Sequence, residues 1–193
     1  MQSLKEHLRD KIQQGFTVGQ TTSNKIILFD LDDTLVHTLA EIGVVKDGKL
    51  IKRLPNDKFN DYVLKQGESF DFSEFTDLDL LMKSPFTKYW HTLKREYNKG
   101  THIGILTARS NKKIVREFFL RNGIRIKDAL VMAINDPILG LKGNIQQRKS
   151  EAIRILADVG YETFIFFDDN EPNLKTAKEL EKQMDIKVLT VKV

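Results

Sequence analysis

Dense apolar runs alternate with amphipathic stretches along most of this chain. The runs predict buried β-strands near 25–30, 102–107, 128–134, 163–168 and 186–192. Between the later runs, apolar residues recur at helical spacing, which predicts helices near 111–122, 144–159 and 172–183. Such alternation is typical of a parallel sheet with helices on both faces. The sequence therefore predicts an α/β fold of Rossmann-like type in three layers.

The N-terminal part of the chain departs from this alternation. Leu4, Leu8 and Ile12 are spaced as on a helix, so residues 1–24 are predicted to form a helical arm, which either packs on the domain or binds a partner, before a core at 25–193. Residues 37–84 predict a flap and a small insertion after the first strand.

Several elements are expected in and after this insertion. Residues 44–51 predict a β-hairpin, with a type I′ turn at Asp47-Gly48. Residues 59–66 predict a short helix, and Phe70 and Phe72 predict an edge strand or packed loop. An amphipathic helix is expected at 85–98, leading into the second core strand.

Composition narrows the class of protein. A chain of 193 residues, 40% apolar and 30% charged, predicts one globular domain without a membrane span. The absence of cysteine excludes disulfides, thiolate metal sites and a cysteine nucleophile, and with the polar N-terminus it favours the cytoplasm. The net charge of +4 suits an anionic substrate, but is too small for a dedicated nucleic-acid-binding tail.

Candidate chemistry is concentrated at the ends of the predicted strands. Asp30-Leu31-Asp32-Asp33-Thr34 directly follows the first run, Thr107 ends the second, and Asp168-Asp169 ends the fourth. Because ligands of such sheets bind at the carboxyl ends of the strands, we expect these groups to lie close together. Asp30 and Asp32 are spaced so that one can attack phosphorus while the other handles a proton.

Taken in order, and together with Lys149 on a later helix, these residues resemble the four motifs of the haloacid dehalogenase (HAD) superfamily of aspartate-nucleophile phosphohydrolases, over about residues 25–192. The resemblance implies that Asp30 is the nucleophile and that Asp32 is the general acid and then the general base. It implies that Thr107 and the backbone N–H of Ala108 hold a phosphoryl oxygen. Thr34 is expected to fix the loop by a backbone hydrogen bond, and a helical turn is expected over 36–42.

The resemblance also implies a lysine and a magnesium site. Lys149 is favoured over its rival Lys142 because it lies near a helix start, about twenty residues before the acidic pair, as in the phosphatase half of polynucleotide kinases. Mg²⁺ prefers carboxylates and water as ligands. The implied metal residues are Asp30, Asp32 through its backbone carbonyl, Asp168 and Asp169, whereas Asn173 stands where many relatives carry another Asp.

The expected substrate depends on how open the site is. The tight hairpin and the short link 135–143 leave little room for a large lid, which predicts a sparsely capped site. In this superfamily open members tend to act on large substrates such as polynucleotide ends or phosphoproteins. A set of basic residues is expected to line the approach, although each could equally belong to a solvated face: Arg109, Lys112, Lys113 and Arg148.

The sequence thus predicts a Mg²⁺-dependent phosphatase that acts on a nucleotide or on the terminal phosphate of a nucleic acid, with no membrane and no obligate protein partner. One alternative is a small-metabolite phosphatase in which residues 55–84 cap the site. Another is a non-catalytic binding module that keeps the fold and the metal. The chain also resembles small HAD proteins of tailed phages, which would place it in the cytoplasm of the host cell.

Overall fold

Eight strands and six helices make up the part of the chain that the computed structural model describes, residues 24–59 and 61–193. The predicted helical arm at 1–24 lies almost entirely outside this part. The strands are β1 (Lys25–Phe29), β2 (Ile42–Lys46), β3 (Lys49–Leu54), β4 (Glu68–Asp71), β5 (Ile103–Thr107), β6 (Val131–Ala133), β7 (Thr163–Asp168) and β8 (Lys187–Lys192). The helices are α1 (Asn56–Phe59), α2 (Leu78–Lys83), α3 (Lys88–Asn98), α4 (Lys112–Arg121), α5 (Ile145–Asp158) and α6 (Glu171–Lys178).

The five predicted core strands form one parallel sheet in the order β6-β5-β1-β7-β8. The α/β fold with a Rossmann-like parallel sheet is therefore confirmed. The predicted helices are present as α3 to α6, although α6 ends at Lys178 and continues as a 3₁₀ turn, Glu179–Lys182. The third core strand is shorter than predicted because Asp128–Leu130 forms another 3₁₀ turn before β6.

Both faces of the sheet are buried, which gives the fold its three layers. On one face Ile26, Leu28 and Phe166 pack in a cluster with apolar residues of α5 and α6. On the other face Ile27 and Phe29 pack in a second cluster with residues of α3 and α4. Successive strand residues point to opposite faces, so the continuous apolar sequence of β1 is what a doubly covered parallel strand requires.

The order of the strands fixes where a ligand can bind. From β1 the chain proceeds outward through β5 and β6, then crosses back to β7 and β8 on the other side of β1. In open α/β sheets the crevice lies at the carboxyl ends of the strands where this order reverses. The loops after β1 and β7 therefore meet at this point, with the loop after β5 beside them.

The insertion after β1 forms a second, antiparallel sheet of order β3-β2-β4. The predicted hairpin is confirmed, and Asp47 and Gly48 have φ of 50° and 74°. A type I′ turn requires positive φ at both central positions, and glycine adopts it at least cost. The predicted edge strand at Phe70 is β4, and the insertion has a small core around Ile42, Val44 and Leu54.

Two local predictions in this region were wrong. No helix covers 61–66, and α1 ends at Phe59 in the described residues. The Glu68 carboxylate instead accepts hydrogen bonds from the Lys65 N–H and the Tyr62 hydroxyl, which hold this stretch in a turn. The helical turn expected over 36–42 lies earlier: the N–H groups of Leu35 and Val36 both donate to the Leu31 carbonyl. In the described part of the chain, no helix is long and apolar enough to cross a membrane.

Candidate active site

The loop after β1 carries Asp30 into contact with a buried lysine. The Asp30 N–H donates to the Phe167 carbonyl at 2.9 Å, which extends the pairing with β7 by one residue and fixes the Asp30 backbone. Helix α5 begins with a capping box formed by Asn144 and Gln147, and Lys149 follows in its first two turns. Lys149 Nζ lies 2.9 Å from Asp30 Oδ1, and only 2% of the lysine side chain is exposed.

Lys149 also contacts the acidic pair at the end of β7. Its Nζ donates to Asp168 Oδ2 at 2.7 Å, while Asp168 accepts further hydrogen bonds from the Asn170 N–H and from Asn173 Nδ2. Asp168 is completely buried, and its carboxylate accepts hydrogen bonds from these three donors. Asp169 lies beside it, and the carboxylate oxygens of Asp30, Asp168 and Asp169 are within 4.8 Å of one another.

Three carboxylates around one ammonium group leave an excess of negative charge. Burial raises the pKa of Asp30 well above its ordinary value, against the attraction of Lys149, and Asp168 and Asp169 add to the rise. Burial, with repulsion from Asp168, raises the pKa of Asp169 to about 6. Burial lowers the pKa of Lys149, but Asp30 and Asp168 outweigh this and raise it above the ordinary value, so the ammonium form is retained.

This cluster has the composition of a site for a hard divalent cation. Carboxylate oxygens are the ligands that Mg²⁺ prefers, and a cation among them would offset the repulsion between them. Asn173 also lines the cavity, and its buried Oδ1 accepts no hydrogen bond from any described residue. This oxygen is therefore a further polar group that a cation could satisfy. Asp30, Asp168 and Asp169 could therefore hold a metal ion. Asp32 is outside this carboxylate cluster, and its backbone carbonyl stays a predicted ligand.

The second aspartate of the loop faces an arginine instead. Arg109 donates from Nε to Asp32 Oδ2 at 3.0 Å and from Nη2 to Asp32 Oδ1 at 2.8 Å, a bidentate pair. Its Nη1 donates to the Phe75 carbonyl at 2.6 Å, and the guanidinium lies 5.3 Å from the centre of the Phe75 ring. The Arg109 side chain is 1% exposed. Arg109 therefore joins the candidate general acid to the insertion.

These groups line a cavity of about 500 Å³. Its lining includes the charged residues Asp30, Asp32, Lys149 and Asp169, and the insertion contributes Ile42, Asn56, Phe59, Phe72 and Phe75. The tight hairpin leaves no room for a large lid, and the expectation of a sparsely capped site stays a prediction. The insertion nevertheless contributes an aromatic wall to the cavity through Phe59, Phe72 and Phe75.

The loop is held together by contacts that differ from those expected. Thr34 Oγ1 is buried and makes no hydrogen bond to any described residue; its carbonyl accepts one from the Thr87 hydroxyl instead. Asp33, for which no role was expected, accepts hydrogen bonds from the Thr38 N–H and from Asn56 Nδ2. The hydrogen bond from Asn56 ties the start of α1 to the loop. The backbone of Asp33 has a positive φ of 57°.

The structure brings some predicted residues to the cavity and not others. Ala108 and Arg109 line it; Thr107 is fully buried behind Ala108, and its hydroxyl accepts from the Arg109 N–H, so its contact with a phosphoryl oxygen stays a prediction. Of the two lysines considered, Lys149 contacts Asp30, whereas Lys142 is exposed.

Lys112, Lys113 and Arg148 are not among the residues that line this cavity, and their place along the approach to it stays a prediction. Lys112 pairs with Asp128 at 2.9 Å, and Lys113 lines a separate cavity beside α4. Arg148 donates to the Asn135 side chain and to the Gly143 carbonyl. Arg148 therefore supports the lining of the cavity indirectly, since Asn135 lines the cavity and donates to the Ala108 carbonyl.

Sequence reasoning missed two groups of cavity residues. Asn135 follows β6, so the rule that strand ends carry the site would have found it. Phe59, Phe72 and Phe75 had no comparable signal, because their place depends on how an irregular insertion folds back on the core. A comparison of the chain with protein-family models and with curated proteins gives no significant match.

Proposed function

We propose that this protein is a Mg²⁺-dependent phosphomonoester hydrolase of HAD type that acts through an aspartyl-phosphate on Asp30. The favoured substrate is a nucleotide or the terminal phosphate of a nucleic acid. One observation carries the proposal: a buried lysine bridges Asp30 and Asp168, beside a third carboxylate, at the carboxyl ends of two adjacent parallel strands.

The arrangement supplies what such a reaction needs. In the first step an Asp30 carboxylate oxygen attacks phosphorus, the bond from phosphorus to the ester oxygen breaks, and Asp32 gives that oxygen its proton. In the second step water attacks the phosphorus of the aspartyl-phosphate, Asp32 takes the water proton, and Asp30 leaves as a carboxylate. Lys149 offsets the negative charge that Asp30 and the phosphoryl group bring together.

Arg109 bears on both roles of Asp32. Its two hydrogen bonds occupy both side-chain oxygens of Asp32, so any proton transfer through Asp32 takes place beside the guanidinium group. Protonation of the leaving oxygen requires the neutral acid, so Asp32 must release one of these contacts while the substrate is bound. A bound Mg²⁺, held by Asp30, Asp169 and their neighbours, would supply further charge neutralisation at the phosphoryl group.

The decisive experiment combines a variant with covalent trapping. Asp30→Asn keeps the shape of the side chain and removes the nucleophile, so turnover should fall by at least about a thousandfold while the fold is kept. Isotopic phosphate from a phosphomonoester should label the wild-type chain at Asp30. Asp79→Asn is the matched control because Asp79 is an exposed aspartate of α2 that does not line the cavity. Labelling of another residue, or near-normal turnover by Asp30→Asn, would refute the mechanism.

Capping by the insertion favours a second candidate, a small-metabolite phosphatase. The wall formed by Phe59, Phe72 and Phe75 is the kind of cover that limits substrates to compact molecules. The same chemistry would then act on a sugar phosphate or a similar metabolite. A substrate panel that includes oligonucleotides phosphorylated at either end, nucleotides and sugar phosphates separates the two candidates.

A further inference from the structure

The lining of the cavity beside Asp30 contains two unlike groups of residues. One group is the charged residues already described, and the other is the aromatic wall, Phe59, Phe72 and Phe75 from the insertion, together with Ile42. Phosphate transfer itself requires no aromatic ring. The aromatic wall is therefore available to the part of the substrate that leaves.

The rings of this wall support one another. Phe59 and Phe72 meet edge to face with their centres 5.5 Å apart, and Phe72 and Phe75 do the same at 6.3 Å. Phe59 also packs edge to face on Phe70 at 4.8 Å, within the small core of the insertion. Phe72 nevertheless keeps 47% of its surface exposed. A large exposed aromatic side chain on the wall of a cavity offers an apolar surface to a ligand.

Arg109 relates this wall to the reacting groups. It holds both oxygens of Asp32, and it holds the Phe75 carbonyl with the third nitrogen of the same guanidinium group. Asp32 is the group that must reach the leaving oxygen. Arg109 therefore connects Phe75, one member of the aromatic wall, to the group that acts on the leaving oxygen.

We propose that Phe59, Phe72 and Phe75 form a binding surface for the base of a nucleoside phosphate whose phosphate group lies at Asp30. This inference rests on the proposed function and specifies its leaving group. Every nucleobase has a π-face that stacks on aromatic side chains, so the surface would accept several bases. The base belongs either to a free nucleotide or to the terminal nucleotide of a strand.

The rest of the cavity fits a nucleoside better than a single phenyl ring. Its remaining lining includes the neutral hydrogen-bonding side chains of Ser110 and Gln146, besides Asn56 and Asn135, which already bond to other residues of the protein. Such groups can pair with sugar hydroxyls and with the edge of a base. A cavity of about 500 Å³ also exceeds what a phosphate and one ring would fill. A phosphotyrosine ester would place a single phenyl ring against the same aromatic wall. It is the rival ligand to a nucleotide, so the substrate panel must include it.

The first experiment compares substrates that differ only in the base. The wild-type protein is assayed with Mg²⁺ on adenosine 5′-monophosphate and on ribose 5-phosphate. Stacking of one base predicts that kcat/KM for the nucleotide exceeds that for the sugar phosphate by roughly 5- to 150-fold. Nucleoside 3′-monophosphates, short oligonucleotides with a 5′- or 3′-phosphate, and phosphotyrosine complete the panel, and the oligonucleotides distinguish a strand end from a free nucleotide.

The second experiment removes the ring. Phe72→Ala should lower kcat/KM on the nucleotide about fivefold or more, chiefly through KM, and should change the value for ribose 5-phosphate much less. Phe72→Leu keeps apolar volume without the ring and should lose most of the same preference. Val63→Ala is the matched control, since Val63 lies in the same insertion, is 83% exposed and is not on the cavity wall.

A binding measurement makes the inference independent of turnover. Adenosine 5′-monophosphate should bind the Asp30→Asn protein more tightly than ribose 5-phosphate, and Phe72→Ala in that background should remove the difference. Equal binding of the two ligands, a preference for phosphotyrosine, or equal losses on both substrates in Phe72→Ala would overturn the nucleobase surface. Hydrolysis of sugar phosphates with Asp30 labelled would leave the proposed function standing, whereas labelling elsewhere would refute that function alone.

Discussion

Lys149 is the residue on which the charge balance of the site depends. It is as fully buried as the apolar core residues around it, and it contacts two carboxylates at 2.9 and 2.7 Å. Transfer of an ammonium group into a protein interior costs several kcal/mol, and only close pairing offsets that cost. Removal of the lysine leaves Asp30 and Asp168 buried without their counter-charge.

Substitution of this lysine should therefore affect both stability and activity. Lys149→Met keeps the length of the side chain and removes the charge, so the free energy of unfolding at pH 7 should fall by about 3–5 kcal/mol, and phosphatase turnover should be lost. Urea unfolding at pH 7 and pH 5 measures the effect. The loss should be smaller at pH 5, because protonation of the carboxylates then relieves their repulsion.

Lys142→Met is the matched control because Lys142 is exposed on the loop just before α5. A change on the surface of this kind should alter the free energy of unfolding by less than about 0.5 kcal/mol. An equal loss of stability in the two variants would show that the buried pairs of Lys149 carry little weight.

Thr87 joins two elements, the loop after β1 and the start of α3. Its side chain accepts a hydrogen bond from the Tyr89 N–H and so caps the helix, and its hydroxyl donates to the buried Thr34 carbonyl. Its own N–H donates to the Leu35 carbonyl. Helix α3 packs on the sheet through Trp90 and Leu93, so it can act as a rigid support for the loop that carries Asp30.

Loss of this joint should be measurable as a stability change. Thr87→Ala removes the cap and leaves the Thr34 carbonyl without its donor, so the free energy of unfolding should fall by about 1–3 kcal/mol. Thr87→Ser keeps the hydroxyl and should lose less than about 1 kcal/mol. Chemical denaturation of the three proteins tests this, and a serine variant as unstable as the alanine variant would show that the methyl group, not the hydrogen bonds, matters.

The elements also explain how much the sequence could predict. Asp30, Lys149, Asp168 and Asp169 were predictable because each position is fixed by a strand end or a helix start, which hydrophobic periodicity reveals. The ion pair of Lys112 with Asp128 was not predictable, because Asp128 is in a 3₁₀ turn that has no periodic pattern. The aromatic wall depends on contacts between irregular segments, and residue spacing carries no information about such contacts.

At the scale of the whole molecule, proton binding at the site is coupled to folding. The pKa of Asp169 is about 6 in the folded protein, raised by burial and by Asp168, whereas an unfolded aspartate titrates near 4. The pKa of Asp30 is also raised, first by burial. The folded protein therefore binds these protons more tightly than the unfolded chain does. The stability that protonated Asp169 contributes is therefore fully present below about pH 4 and is lost as the pH rises through about 6, and that of Asp30 is likewise lost as the pH rises.

Magnesium should reverse this loss, and its effect should depend on pH. Asp169 alone should cost roughly 2 kcal/mol of stability above pH 6 in the metal-free protein, after allowance for its partial exposure. Mg²⁺ requires ionised carboxylates, so it should raise Tm at pH 7.5 and have little effect at pH 4.5. Thermal unfolding in Mg²⁺ and in NaCl of equal ionic strength measures this, and Asp169→Asn should weaken both the pH dependence and the Mg²⁺ shift. The same Mg²⁺ shift at both pH values, or none at pH 7.5, would contradict a metal site formed by these carboxylates.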